Sequence, residues 1–314
     1  MSAPAFLESE LAPRDAGDCR FHVIPVPYEA TVSYGGGTAE GPAAILEASQ
    51  QLEVWTGRSI PSEQGIYTWP AVECSGNAET VLERIEAAVE KALAAGPQGA
   101  LPEGPIRPGG CSAAPTLPVI LGGEHTVTLG VLRALQKRYG HFGVVQFDAH
   151  ADLRDTYEGT PYSHACVMRR AVDDLGLSLF QIGVRSLCPE EVAFRKKRGI
   201  SHLDARAARF PLSRVEGSPV SALLPTHFPD IIFLTFDLDA FDASLMPATG
   251  TPEPGGLFWW DALELAERCL AGRVALGFDV VELAPLPGMH APNYTAARLT
   301  HEIMGIIEEG AAKG

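Results

Sequence analysis

The sequence predicts an α/β fold in which a largely parallel sheet carries helices on both faces, and three observations predict it. Five apolar runs of strand length are continuous rather than alternating, as expected for strands covered on both sides. Stretches with apolar residues at helical spacing lie between them. Several runs stop abruptly at Asp, Glu or His, which puts polar chemistry at strand carboxyl ends, where open α/β sheets bind their ligands.

The elements follow in order. MSAPAFLESELAPRDAGD at the start carries early acids and no apolar segment, so no secretion signal is expected. Gly35 to Gly37 lack the Lys-Ser/Thr ending of a phosphate-binding P-loop and the spacing of a dinucleotide fingerprint, so a flexible loop is expected there. A helix is predicted over Glu79 to Ala95, where Val81, Leu82, Ile85, Val89, Ala92 and Leu93 form one apolar face, and Gly96 with Pro97 ends it. Residues 97–118, rich in Pro and Gly and without periodicity, read as a loop insert. The insert precedes a strand, so it belongs at the amino end of the sheet, away from the chemistry. Strands are then predicted at Pro118 to Leu121, Phe142 to Phe147, Leu179 to Val184, Ile231 to Phe236 and Val274 to Val281. Helices are predicted after Glu124, after Ser163 and over Trp259 to Leu270. Together they read as one domain over 1–314, with no internal repeat and no apolar run of membrane-spanning length.

Composition narrows the classes of function. With 24 basic and 39 acidic side chains the formal charge is -15, which disfavours a nucleic-acid backbone or an anionic membrane as partner and suits a cationic ligand. Six cysteines, Cys19, Cys74, Cys111, Cys166, Cys188 and Cys269, form no CxxC pair, so neither a zinc knuckle nor a disulfide framework is expected. Reduced thiols and the absent signal read as a cytoplasmic protein.

Three predicted strand ends carry the chemistry. Phe142 to Phe147 runs into Asp148, His150 and Asp152; Ile231 to Phe236 runs into Asp237 and Asp239; Pro118 to Leu121 runs into Glu124 and His125. Kept in one extended strand, Asp148, His150 and Asp152 would span roughly 13 Å, too far for one metal cluster, so the chain must turn just past Asp148. Any one of these residues alone is more simply a helix cap or a hydrogen-bonded core group. Six donors from three such ends, all oxygen or nitrogen, point instead to a pair of Mn²⁺ or similar ions. Four aspartates balance the charge of two divalent ions, and a bridging hydroxide leaves the cluster slightly negative, ready for a monocation.

The motifs GGEHT at 122–126, DAHAD at 148–152 and DLDAFDAS at 237–244 resemble those of the ureohydrolase family, which includes arginase, agmatinase and guanidinobutyrase. The resemblance covers nearly the whole chain, extending to PVPYEATVSYGGGTAEGPAAI, to GTPEPGGL at 250–257 and to DVVELAP at 279–285. It implies an arginase-like three-layer α/β/α fold with a binuclear manganese site at the carboxyl ends of the strands, Ni²⁺ being an alternative. It further implies that His125, Asp148, Asp152 and Asp237 hold one ion, and Asp148, His150, Asp237 and Asp239 the other. Glu282 takes the place of the guanidinium-binding glutamate, and His164, in YSHAC, that of the proton carrier. Homo-oligomers, trimers or hexamers, are common in the family.

The resemblance implies cleavage of a small cationic guanidino compound to urea and an amine. Arginases meet the amino-acid end of arginine with an Asn in the loop after DAHAD. Here that loop reads LRDTYEGTPY, without the Asn, and Asp155 and Glu158 offer acids for a distal ammonium. Agmatine, hydrolysed to putrescine and urea, is therefore expected ahead of guanidinobutyrate, guanidine or arginine. A single-zinc deacetylase or a non-catalytic metal-binding protein on the same fold are the alternatives of other classes.

Overall fold

The computed structural model describes residues 3–101, 111–208 and 223–313. In chain order the elements are β1 (Phe21–Val26), α1 (Gly41–Ser49), β2 (Ile66–Thr68), α2 (Ala78–Ala95), β3 (Ser112–Ala113), β4 (Leu117–Gly122), α3 (Val127–Tyr139), β5 (Gly143–Phe147), α4 (Val167–Asp173), β6 (Ser178–Ile182), α5 (Pro189–Arg198), β7 (Ser201–Leu203), α6 (Ala205–Ala208), β8 (Ile231–Asp237), α7 (Trp259–Leu270), β9 (Val274–Val281) and α8 (Ala291–Lys313).

All the strands join one parallel sheet in the order β2-β1-β4-β9-β8-β5-β6-β7, with β3 beside the start of β9. Helix α8 packs against α1 and α7, and α3 against α2 and α4, giving the two outer layers. The inner strands β4, β5, β8 and β9 are buried along their lengths except at Ile231, which explains why their sequences read as continuous apolar runs. Phe147 and Phe236 stack at 4.9 Å between ring centroids beneath the ends of β5 and β8, a contact worth about 0.5–1.5 kcal/mol beyond area burial.

The predicted helix at 79–95 begins one residue earlier, because the Asn77 side chain accepts the Thr80 amide and so caps Ala78. The expected insert is shorter than 97–118. Leu117 and Pro118 already pair with β1, and Ser112–Ala113 pair with Val274 and Ala275; residues 102–110 of the insert lie outside the described residues. Pro118 lacks an N–H, and across from it Gly277 at φ 141 brings its backbone so close that a Cβ there would lie 2.4 Å from the Pro118 carbonyl oxygen. The strand predicted to run to Val184 stops at Ile182, where Gly183 at φ 89 turns the chain. Strands β1, β2 and β7 lie outside the predicted set. In β1 the apolar run is broken by His22, whose ring nitrogens are satisfied by Trp69 Nε1 at 3.0 Å and the Cys19 carbonyl at 3.0 Å.

Candidate metal centre and active site

The sheet order brings four consecutive strand ends together. Sequence reading expected three neighbours, but β9 lies between β4 and β8 and supplies Glu282 to the same cleft. The predicted turn past Asp148 is present. The His150 amide donates to Asp148 Oδ1 at 2.6 Å, Arg185 and Ser186 amides reach back to the Ala149 carbonyl, and Asp152 takes a left-handed conformation at φ 53. The Ala149 amide donates to Asp239 Oδ1 at 2.9 Å, which ties this turn to the end of β8.

Five of the six predicted donors fall into two overlapping groups, and Asp237 stands beside the first of them. His125, Asp148 and Asp152 each offer one atom within 4.8 Å of the others, as do Asp148, His150 and Asp239, so Asp148 is common to both. His125 Nδ1 faces Asp152 at 3.0 Å, Asp148 at 3.2 Å and Asp237 at 3.5 Å, and His150 Nδ1 lies 2.9 Å from Asp239. His125 Nδ1 is buried yet in no hydrogen-bond geometry, whereas its Nε2 lies 2.9 Å from Thr235 Oγ1. A ring nitrogen facing three carboxylates without bonding any of them suits a divalent cation, and the oxygen and imidazole donor set suits manganese-like ions.

Without a cation the charges conflict. Burial, followed by the charge of Asp148, pushes Asp152 up to about 7. Burial and Asp239 raise Asp237 well above the usual carboxylate range, and burial with Glu124 does the same to Glu282. Asp148 moves the other way. Burial would raise it, but the imidazoles of His125 and His150 prevail and hold it low. For His150, burial alone would lower the ring, yet Asp239 and Asp148 push it up to about 12.

A further layer, invisible as motifs, fixes these groups. Behind Thr235 stands buried Asp279, which bonds the Thr235 hydroxyl and accepts from Thr128 Oγ1 at 2.8 Å and the Phe236 amide at 3.2 Å. The chain Asp279, Thr235, His125 therefore orients the imidazole with Nε2 away from the cluster. Gln146 Nε2 donates to Asp148 Oδ2 at 2.7 Å, and Gln181 links Gln146, the Ala151 carbonyl and Arg195. Thr235, Asp279, Gln146 and Gln181 share one legible sign, a lone polar residue inside an otherwise apolar strand.

Glu282 lies beside the cluster in a left-handed conformation at φ 69, held by its amide to the Gly123 carbonyl and by the His125 amide, which donates to Oε1 at 2.6 Å. Glu282 and His164 line the same pocket as His125, His150, Asp152, Asp237 and Asp239. His164 opens a short 3-10 turn with Ser163 as its cap, and burial, outweighing the charge of Glu124, lowers its pKa. The Gly-rich loop is anchored rather than flexible. Glu29 accepts the Gly37 and Ala39 amides, the Gly35 amide donates to the Gly250 carbonyl at 3.0 Å, and Val32 to Tyr34 form a wall of the pocket.

Outside the pocket an open cleft of about 360 Å³ continues past His150 and His164 between Arg154, Tyr157, Cys188, Thr251 and Glu253. Asp155 and Glu158 are not in its lining. Asp155 is exposed and bound to Arg170 at 2.5 Å, and Glu158 stands at an exposed turn with φ 48 where Tyr157 and Thr160 pair. Arg154 and Tyr157 of the same loop reach the cleft, but Asp155 is held by Arg170 and Glu158 sits on the exposed turn. The acids that line it are Asp152 of the cluster, Glu191, whose carboxylate accepts the Leu153 and Cys188 amides, and Glu253.

The Arginase family model matches residues 19–305. An N(1)-aminopropylagmatine ureohydrolase of Synechocystis sp. is 36% identical over 98% of this chain and 95% of its own length. An agmatinase of Pyrococcus horikoshii is 30% identical over 95% of this chain and 96% of its own. Among solved structures, the agmatine ureohydrolase of Thermoplasma volcanium superposes with a TM-score of 0.76 at 27% identity, covering 98% of this chain and 96% of that one.

Proposed function

This chain belongs to the arginase family and is a ureohydrolase, and from that premise we propose that it hydrolyses the guanidino group of agmatine-type polyamines, N(1)-aminopropylagmatine before agmatine. The observation that carries the reaction is the pair of donor groups sharing Asp148, with Glu282 and His164 lining the same pocket. Two features support the longer substrate: the cleft continuing outward to Glu253, and the identity to relatives bearing that name. The expectation of agmatine stays within the same chemistry.

His125, Asp148, Asp152 and Asp237 would hold one Mn²⁺, and Asp148, His150, Asp237 and Asp239 the other, with Ni²⁺ a possible substitute. When bound, such a pair lowers the pKa of water towards neutrality and so supplies a nucleophile. The chain's own residues do the rest. Glu282 Oε1 is partly taken by the His125 amide, which leaves Oε2 and one lone pair to receive two guanidinium N–H groups. That grip presents the guanidino carbon to the floor formed by Asp148, His150 and Asp237. His164 then carries a proton to the departing amine, which leaves as putrescine from agmatine or as the corresponding triamine from the longer substrate. The cleft faces an otherwise acidic chain, which favours a polycation. We retain a homo-oligomer, trimer or hexamer, as part of this reading, to be measured by light scattering.

The test is urea release from N(1)-aminopropylagmatine, agmatine, guanidinobutyrate, guanidine and arginine, each with Mn²⁺, Ni²⁺ and Zn²⁺, together with a metal count per chain. Two ions per chain and the highest kcat/KM for the aminopropyl compound are expected. A single bound ion, or urea from arginine alone, overturns the reading. Among the described residues no helix is long and apolar enough to cross a membrane.

A further inference from the structure

His164 has two ring nitrogens, and only one tautomer leaves a lone pair facing the cleft. Its Nδ1 lies 3.0 Å from Thr31 Oγ1, and its own backbone amide donates to the same oxygen at 3.2 Å. Thr31 Oγ1 in turn lies 2.8 Å from Glu124 Oε1. Glu124 is wholly buried and surrounded by donors. Its Oε2 accepts the Ala30 amide at 2.5 Å and the Thr31 amide at 2.6 Å, and its Oε1 also accepts Thr126 Oγ1 at 2.6 Å.

A hydroxyl has one proton to give and two lone pairs to receive with. With both Glu124 oxygens acting as acceptors, the Thr31 proton goes to Glu124, and the Thr31 oxygen must receive from His164. Its two incoming donors are then the His164 amide and Nδ1–H. We propose that Thr31, backed by Glu124, is the positioning residue that fixes His164 as the Nδ1–H tautomer with a bare Nε2 towards the cleft. This rests on the reading of His164 as the proton carrier, since a bare Nε2 is what can take up a proton and pass it on. Tyr157 sets the ring plane from the side, edge to face at 5.7 Å and 83°. Ser163 Oγ, 3.4 Å from Nδ1, is too long to compete well. The two backbone amides hold the 30–31 segment to Glu124 whether or not Thr31 has a hydroxyl, so the device can be removed without releasing the loop.

The experiment uses full-length protein labelled with ¹⁵N-histidine and loaded with diamagnetic Zn²⁺, read by magic-angle-spinning NMR, with His164 assigned from the missing signals of His164→Asn. Wild type is expected to show a protonated Nδ1 and an unprotonated Nε2. In Thr31→Val the two nitrogens should average towards a tautomer mixture, and in the Mn²⁺ enzyme kcat for urea release should fall about tenfold with KM within about twofold. Thr31→Ser should restore both the spectrum and kcat. A wild-type Nε2–H tautomer, or a Thr31→Val protein with unchanged tautomer and kcat, overturns the proposal, and so does a Thr31→Ser protein as impaired as Thr31→Val. The tautomer is read without turnover, so failure of the guanidino reading, seen as no urea from any substrate, stays separate from failure of the relay.

Discussion

The floor of the site and its rim are built by different rules. On the floor, Asp148, His125, Asp152, Asp237 and Asp239 are all at most 5% exposed, they lie at or just past parallel strand ends, and backbone amides within and between those ends hold Asp148, Asp237 and Asp239. On the rim, Tyr34 is 85% exposed, and Asp155 and Glu158 are exposed on a loop held by the Tyr157–Thr160 pair and by Arg170. Strand ends lock chemistry because the sheet's hydrogen bonds already fix their backbone. Loops set reach and specificity, and their side chains go wherever a local partner offers itself.

If the floor is one unit, removing its shared member should cost the most. Asp148→Asn keeps the side chain's shape but removes the charge common to both donor groups. Urea release should fall by well over about 100-fold, more than losing an outer partner does. Mass spectrometry should find fewer than two ions per chain. Retention of both ions with near-normal activity would break the contrast between floor and rim. Next comes Glu282→Gln, which keeps the acceptor for the His125 amide but removes the charge facing the guanidinium. A fall in kcat/KM of about 100-fold with the metal count unchanged is expected, in the range for truncating one side of a buried charge pair.

A smaller effect tests whether the floor depends on residues that touch no ion. Thr235→Val removes the partner of His125 Nε2 while nearly preserving volume, and it leaves Asp279 with its Thr128 and Phe236 bonds. Weakening of Mn²⁺ binding by about 10-fold is expected in a metal titration monitored by electron paramagnetic resonance. An unchanged affinity would make Thr235 a packing residue only.

Legibility in the sequence follows the same division. The order of strand and helix was readable because buried parallel strands force continuous apolar runs, and the candidate donors stood out because each run ends on a short list of side chains. That β9 would stand between β4 and β8 was not readable, since strand order depends on crossovers between segments far apart in the chain. The supporting layer left a trace in IIFLTFD, VALGFDVV, GVVQF and SLFQI, each an apolar run with one polar residue inside, yet a polar residue in a strand does not name its partner. Asp155 and Glu158 lie outside the cleft lining for a physical reason. A loop acid in the sequence has no defined direction, and Arg170, from the following helix, engages Asp155.

The smallest effect expected separates Glu253 from Asp155 on the rim. Glu253 lines the outer cleft, its side chain half-buried, while its backbone carbonyl is anchored by Arg185 Nη2 at 2.8 Å, so Glu253→Gln removes charge without freeing the loop. A partly exposed ion pair is worth about 0.2–1 kcal/mol, so KM for N(1)-aminopropylagmatine should rise up to roughly fivefold. Agmatine, which lacks the aminopropyl arm, should change less than about twofold, because nothing on it extends that far. Asp155→Asn should leave both substrates within about twofold, since its carboxylate is already engaged by Arg170. Steady-state kinetics on the two substrates and two variants decide the matter. Should Asp155→Asn selectively weaken the longer substrate while Glu253→Gln does not, the loop after DAHAD must turn inward on binding, and the rim would be shaped by the ligand rather than by its own contacts.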